Sequence, residues 1–176
     1  MRHRFHGRKA CQRVTAALAL TAGLTFPART LGELPRFDEY RVDDSYQAPP
    51  AAFNAASSKL ARAYRTRLGE GAKKGPNFAG HFTLVSWGCG SSCQEWAIID
   101  ARTGRAFDWV ARSTAGAEFY PNSRLFIVDP PKLVREMFGG SPPVNCAVCG
   151  TAEAYEWVGT AWRPISGADM SRIRRY

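Results

Sequence analysis

The sequence contains little histidine and none of the short motifs that identify the commonest enzyme classes. It has three histidines in 176 residues. It has no phosphate-binding P-loop, no dinucleotide fingerprint, no G-x-S-x-G nucleophile elbow and no H-E-x-x-H zinc motif. These absences give no support to a nucleotide-dependent enzyme, an α/β-hydrolase or a zinc protease. Nothing in the sequence indicates a cofactor or a metal, and we expect none.

Acidic residues are absent from residues 1–32, which hold six of the 24 basic residues of the chain. The remaining residues contain 18 basic and 15 acidic side chains, so their net charge is +3, against +9 for the whole chain. A nucleic-acid-binding protein owes its basicity to the folded domain. We therefore expect no nucleic-acid partner.

A long apolar run is also missing. The uncharged stretch at residues 14–26 would span about 20 Å as a helix, whereas the hydrocarbon core of a bilayer is roughly 30 Å thick. A basic segment followed by a short apolar one is typical of a cleavable signal peptide. We predict a signal peptide at 1–32, cleaved within 28–33, and a mature protein in the periplasm or the extracellular medium with no membrane span. The alternative is an uncleaved amphipathic or core helix.

The rest of the chain has the composition of a globular domain, since 45% of all residues are apolar and 12% are aromatic. Residue patterns predict strands at 81–87, 95–100, 105–110, 124–129, 152–158 and 161–165, and a short helix at 131–138. A proline pair followed by apolar residues at three- and four-residue steps predicts one earlier helix at 51–68. Strands that follow one another without crossover helices favour an antiparallel sheet. We predict an α+β fold, mainly an antiparallel β-meander with one N-terminal helix packed on it.

The predicted domain organisation is simple. An extended N-terminal arm occupies 33–50, a single strand-rich globular domain occupies 51–170, and a basic tail occupies 171–176. We expect solvent to cover the tail and the basic face of the first helix. The five tryptophans all fall on predicted strands, which indicates sheet packing in preference to a sugar-binding platform.

Four cysteines remain once Cys11 leaves with the leader: Cys89, Cys93, Cys146 and Cys149. An even number in an exported protein favours disulfides. Crossed pairing would close longer loops and stabilise more, but short separations and flanking glycines favour pairing within each close pair. Two alternatives are a zinc site made of the four thiolates and thiol–disulfide exchange at the C-x-x-C of Cys146 and Cys149.

His81 is the only histidine outside the leader, because His3 and His6 lie within it. It precedes a glycine-rich turn that contains Cys89 and Cys93. A cysteine hydrolase would need one of these thiols beside His81 and a carboxylate, for which Asp100 is the candidate, to orient the imidazole. Disulfide formation would remove that nucleophile. We therefore favour a structural hydrogen bond for His81 over catalysis.

Three strings surround these residues: N-F-A-G-H-F at 77–82, W-G-C-G-S-S-C at 87–93 and I-D-A-R-T-G at 99–104. Together they resemble an uncharacterised family of small exported bacterial proteins with the signature N-F-A-G-H-[FY], W-G-C-G-x-x-C and D-x-x-T-G. The resemblance covers residues 75–110 and, more loosely, 123–128, and does not extend to Cys146 and Cys149. It implies export and a strand-rich fold, and it implies no activity.

The function that we expect from the sequence is that of a non-enzymatic binding or envelope-associated protein, stapled by disulfides, whose partner is a protein or another component of the cell envelope. The alternative is a hydrolase or thiol enzyme centred on His81 and the Cys89/Cys93 turn.

Overall fold

A computed structural model of the chain describes residues 34–146, 149–165, 167, 168 and 170–176. The predicted signal peptide lies outside these residues. After a 3-10 helix at Phe37–Tyr40, the elements in chain order are α1 (Lys59–Ala63), α2 (Arg65–Ala72), β1 (Phe82–Gly90), β2 (Cys93–Asp100), β3 (Ala106–Ser113), β4 (Ala117–Phe119), β5 (Leu125–Val128), α3 (Pro131–Phe138), β6 (Glu153–Trp157), β7 (Trp162–Ile165) and β8 (Ile173–Arg175).

Within the described residues the strands form two four-stranded sheets, with the orders β1-β2-β3-β8 and β4-β5-β6-β7. All the pairings are antiparallel, which confirms the predicted α+β fold with an antiparallel core. The strands are divided between two sheets and do not form a single continuous meander. The long β1–β2 hairpin has Phe82 opposite Asp100 at its base and Gly90 opposite Cys93 at its tip.

The two sheets enclose the main core between them. Alternate residues of the first sheet point the other way, towards α1 and α2, and the N-terminal segment packs on the outer face of the second sheet. The main core includes Phe82, Leu84, Trp96, Ile98, Phe107, Phe126, Val128, Tyr155, Trp157 and Trp162; the helix layer includes Leu60, Leu68, Val85, Ile99 and Val110; and the outer layer includes Leu34, Phe37, Leu125 and Ile127.

The prediction of a helix across 51–58 was wrong. The Ala51 N–H donates to the Ala101 carbonyl at 2.8 Å, and the Asn54 N–H donates to the Gly104 carbonyl at 2.9 Å. These bonds tie the segment to the β2–β3 turn and prevent it from closing its own helical hydrogen bonds. Tertiary contacts therefore override the helix propensity of an alanine-rich stretch.

The helical region begins at α1 and ends with α2, four residues beyond the predicted end. Ser58 is the N-cap, because its hydroxyl accepts the Ala61 N–H at 3.0 Å. Gly71 lies inside α2, where a Cβ atom would come within 2.4 Å of Val85 Cγ2. Gly71 therefore lets α2 approach β1 closely.

The C-terminal residues belong to the first sheet. We predicted a basic tail at 171–176, but β8 pairs with β3, and Ile173 is buried in the core. Arg174 Nη2 lies 2.9 Å from Oε1 of the buried Glu95. The prediction was wrong because a three-residue strand with two arginines has no pattern of its own and is specified by its partners. No helix in the described part of the chain is both long and apolar enough to cross a bilayer.

Candidate functional site

The cysteines form two disulfides, Cys89–Cys93 and Cys146–Cys149. This confirms pairing within each close pair. All four sulfurs are bonded, so none of them is a thiolate that could ligate zinc or attack a substrate. Thiol–disulfide exchange at Cys146 and Cys149 stays a prediction.

The structure separates His81 from the cysteines with which the sequence grouped it. His81 directly precedes β1 at the base of the β1–β2 hairpin, whereas Cys89 and Cys93 lie at the tip. Eight residues of strand extend roughly 25 Å. The cysteine–histidine pair considered for a thiol enzyme therefore does not form.

Asp100 does lie at the His81 end of the hairpin, but its carboxylate has a different role. It accepts the Arg102 N–H at 2.8 Å and the Thr103 hydroxyl at 3.0 Å, while its carbonyl accepts the Gly104 N–H at 2.8 Å. These bonds shape the β2–β3 turn. Asp100, the candidate carboxylate for orienting His81 in a cysteine hydrolase, therefore has a structural role in the turn.

The carboxylate that orients His81 belongs to Asp44. Asp44 Oδ2 lies 2.7 Å from His81 Nδ1, and Asp44 Oδ1 lies 2.7 Å from Arg102 Nη2. An ionised carboxylate only accepts hydrogen bonds, so Nδ1 carries the proton and Nε2 is the ring atom that can meet a ligand. Asp44 precedes His81 by 37 residues, and no local pattern in the sequence joins the two.

The N-terminal segment holds Asp44 in place through its backbone. The Tyr46 N–H donates to the Gly80 carbonyl at 3.2 Å. Gly80 has a φ of +84°, and a Cβ atom there would lie 2.4 Å from the Asp44 carbonyl oxygen. The turn before His81 therefore needs glycine both for its conformation and for the close approach of the segment.

A cleft of about 890 Å³ opens beside His81, and we call it the His81 cleft. Its volume is within the usual range of small-molecule sites. Its walls come from the N-terminal segment, the 54–57 segment, the β2–β3 turn and the β6–β7 turn. Buried aromatic side chains (Phe82, Phe107 and Trp157) and polar ones (Asp44, Asn54, His81, Asp100, Arg105 and Arg124) contribute to the lining.

Among the charged side chains described in the lining of the His81 cleft, the one without an oppositely charged partner is a cation. Both lining carboxylates, Asp44 and Asp100, already accept hydrogen bonds, and Arg124 lies 3.2 Å from Glu156. Arg105 has no ion pair with any described carboxylate, and its guanidinium lies over the Phe107 ring, 5.3 Å from the centroid. The cleft can therefore offer a cation to a ligand without breaking an internal ion pair.

Trp157, which contributes to the cleft lining, has one buried polar atom without a partner. Its side chain is fully buried, and its indole Nε1–H has no hydrogen-bond acceptor among the described residues. Almost all buried donors in folded proteins have a partner, so this one stands out. The sequence does not mark Arg105, Phe107 or Trp157 as site residues, because each lies in a strand pattern that indicates ordinary packing.

The described residues include no group of three or more His, Cys, Asp or Glu side chains placed to hold a metal ion. The His81 cleft is thus an aromatic pocket with a charged lining and one oriented imidazole. Comparisons of the chain with protein-family models, curated proteins and solved structures give no match.

Proposed function

We propose that this is an exported, disulfide-stapled binding protein that takes a small anionic ligand with an apolar or aromatic body in the His81 cleft. The observation that carries the proposal is the presence of Arg105, a cation without a carboxylate partner in the described structure, at an aromatic-lined cleft of about 890 Å³. Partly enclosed aromatic surface with a few polar groups is the usual composition of a ligand site.

Export is supported by the two disulfides and by the predicted leader. Disulfides persist in oxidising compartments and are rare in the cytosol. The resemblance to small exported bacterial proteins agrees with this assignment. The natural ligand would then be a component of the envelope, or of the medium around it, that carries an anionic group.

The polar groups of the cleft have distinct roles in this proposal. Arg105 binds the anionic group, because charge-assisted hydrogen bonds to a guanidinium are strong and directional. The Asp44–His81 contact fixes the imidazole, so that Nε2 meets one polar atom of the ligand. Phe82 and Phe107 provide the aromatic surface that contacts the apolar body. No step of this binding requires a cofactor.

The test uses 8-anilinonaphthalene-1-sulfonate, an aromatic anion whose fluorescence rises in apolar sites, with protein exported from the full-length chain. We expect saturable binding that weakens about tenfold in Arg105→Gln, since one charge-assisted hydrogen bond is lost. Arg175→Gln is the matched control: its guanidinium also lies over an aromatic ring, 5.1 Å from the centroid of Trp109, but it does not line the cleft.

A second variant distinguishes binding of the probe in the His81 cleft from binding elsewhere on the protein. Thr160→Trp places a large side chain at the cleft wall, and we expect it to abolish binding of the probe while the fold is retained. Equal affinity of the Arg105→Gln and Arg175→Gln variants, or undiminished binding in Thr160→Trp, would contradict the proposal.

A hydrolase is the second candidate, because the 2.7 Å contact between Asp44 and His81 is the geometry that orients a general base. With the four cysteines Cys89, Cys93, Cys146 and Cys149 in disulfides, His81 would have to activate water. Turnover of p-nitrophenyl acetate that disappears in His81→Gln, while the probe still binds, would favour this function over binding alone.

A further inference from the structure

The net positive charge of the folded part is concentrated on the helix pair. Residues 34–176 hold 18 basic and 14 acidic side chains. The segment 59–74, which contains α1 and α2, holds six of these basic residues and one acidic residue, Glu70. The other residues of 34–176 hold 12 basic and 13 acidic side chains. Without the helix pair, the folded part would carry no net positive charge.

We call these six residues the basic face: Lys59, Arg62, Arg65, Arg67, Lys73 and Lys74. All six are exposed, whereas Leu60, Leu68 and Ala72 on the opposite side of the helices are buried against the first sheet. This amphipathic division directs the cations away from the core. The basic face is therefore accessible to a partner across the whole length of both helices.

The basic face is not used to hold the fold together. None of its side chains forms an ion pair with a carboxylate in the described residues, and Arg62 instead donates to the Ala56 carbonyl at 3.2 Å. Elsewhere the arginines commonly bind carboxylates: Arg102 binds Asp44, Arg112 and Arg174 bind Glu95, Arg124 and Arg163 bind Glu156, and Arg172 binds Asp129. The contrast shows that six cations remain available for an external anion.

The break between the helices adds a local feature. Tyr64 separates α1 from α2, and a concavity of about 370 Å³ lies at this point. Its lining includes Arg62, Arg65 and Arg67. Three arginines at one concavity provide several donors for the acceptor oxygens of a phosphate group.

We propose that the basic face docks the protein onto the phosphate groups of an anionic lipid surface. The choice of lipid rests on the proposed export, since membranes of the envelope then present such a surface. The proposal is independent of the His81 cleft. Ala63, Tyr64 and Thr66 lie between the arginines around the helix break, and the Tyr64 ring packs on Trp87 with 4.6 Å between the ring centroids, so no large apolar side chain there is placed to enter the bilayer. Attachment is therefore electrostatic and must weaken strongly with salt.

The test measures cosedimentation of the exported protein with vesicles of phosphatidylcholine that contain one third phosphatidylglycerol. Pure phosphatidylcholine vesicles are the reference. Each cation near an anionic surface strengthens binding about fivefold, so the triple variant Arg62→Gln/Arg65→Gln/Arg67→Gln should bind about 100-fold more weakly. Wild-type binding should disappear in high salt.

The matched control removes the same number of charges elsewhere. Arg41, Lys132 and Arg135 are exposed and have no ion pair among the described residues. The variant Arg41→Gln/Lys132→Gln/Arg135→Gln should retain most of the binding. Equal loss in the two triple variants would show an effect of net charge and overturn the proposal, as would binding that ignores phosphatidylglycerol or survives high salt. Binding of the protein to duplex DNA without binding to the vesicles would overturn the assignment of an anionic lipid surface as the partner.

Discussion

Buried carboxylates are the residues on which the folded state depends most clearly. Glu95 is 3% exposed and accepts hydrogen bonds from Trp87 Nε1 at 3.0 Å, Arg112 Nη2 at 3.0 Å and Arg174 Nη2 at 2.9 Å. A buried charge is tolerated when such partners surround it. Through these contacts Glu95 joins β1, β2, β3 and β8 at one point.

The Glu95 contacts predict a specific pH dependence. Burial raises the pKa of Glu95, but the hydrogen bonds from Arg174 and Arg112 outweigh it and hold the pKa below its ordinary value of 4.5. Because the pKa of Glu95 is lower in the folded state than in the unfolded chain, ionised Glu95 stabilises the folded state at pH values above its unfolded-state pKa. This stabilisation is lost as the pH falls through the lower pKa of the folded state.

We therefore expect Glu95→Gln to lower the free energy of unfolding by about 1–3 kcal/mol at neutral pH. The difference in the free energy of unfolding between the variant and the wild type, which we call the gap, should narrow below about pH 4.5. Urea unfolding of both proteins at a series of pH values measures the gap. Glu136→Gln, at an exposed position on α3, is the control and should show almost no gap. A gap for Glu95→Gln that stays constant down to about pH 3 would refute this account.

At the scale of elements, the packing of α2 on β1 depends on a glycine that the sequence presents as a helix breaker. A Cβ atom on Gly71 would lie 2.4 Å from Val85 Cγ2, whereas one on Gly69 would meet only Phe53 Cδ1, at 3.5 Å. The same substitution at these two positions should therefore have opposite effects.

We expect Gly71→Ala to destabilise the protein by about 1–2 kcal/mol through overpacking, and Gly69→Ala to stabilise it by about 0.5–1 kcal/mol through helix propensity. Thermal or urea unfolding measures both. Adding Val85→Ala should reduce the cost of Gly71→Ala, because it removes the methyl groups in the way. Destabilisation of the same size in both glycine variants would mean that α2 does not pack on β1 in this way.

Elements with local signals could be predicted from the sequence. Helix α3 begins at Pro131 and ends before Gly139, as the proline and glycine positions indicate. The β2–β3 turn follows its Asp100 and Gly104 pattern, with Gly104 at a φ of +69°. By contrast, β8 and the non-helical course of 51–58 depend on hydrogen bonds to distant residues, which the sequence does not display.

In the candidate site, too, local signals could be predicted from the sequence and contacts between distant residues could not. His81 stood out because it is the only histidine after residue 6, and its position at a strand end follows from the local pattern. Its partner Asp44 comes from a segment that precedes it by 37 residues, so proximity in the sequence favoured Asp100 instead. The lining of the cleft comes from six separate parts of the chain between Val42 and Thr160, and no single segment carries its pattern.

On the scale of the whole molecule, the two ends of the β1–β2 hairpin have different roles. The tip carries a disulfide and no free thiol, while the base carries an oriented imidazole at the mouth of an aromatic cleft. This arrangement moves the candidate chemistry away from the cysteines and towards ligand binding. Residues 1–32 account for most of the net charge of the chain, and the helix pair accounts for the positive charge that remains.

The central claim is that the His81 cleft binds an aromatic anion, and a chemical-shift map tests it most directly. Amide spectra of the isotope-labelled protein would be recorded during titration with 8-anilinonaphthalene-1-sulfonate. The account predicts saturable shifts concentrated at cleft-lining amides such as those of His81, Phe82, Thr103, Gly159 and Thr160. Shifts confined to the exposed apolar end of α3, at Met137 and Phe138, or no saturable shifts at all, would contradict it.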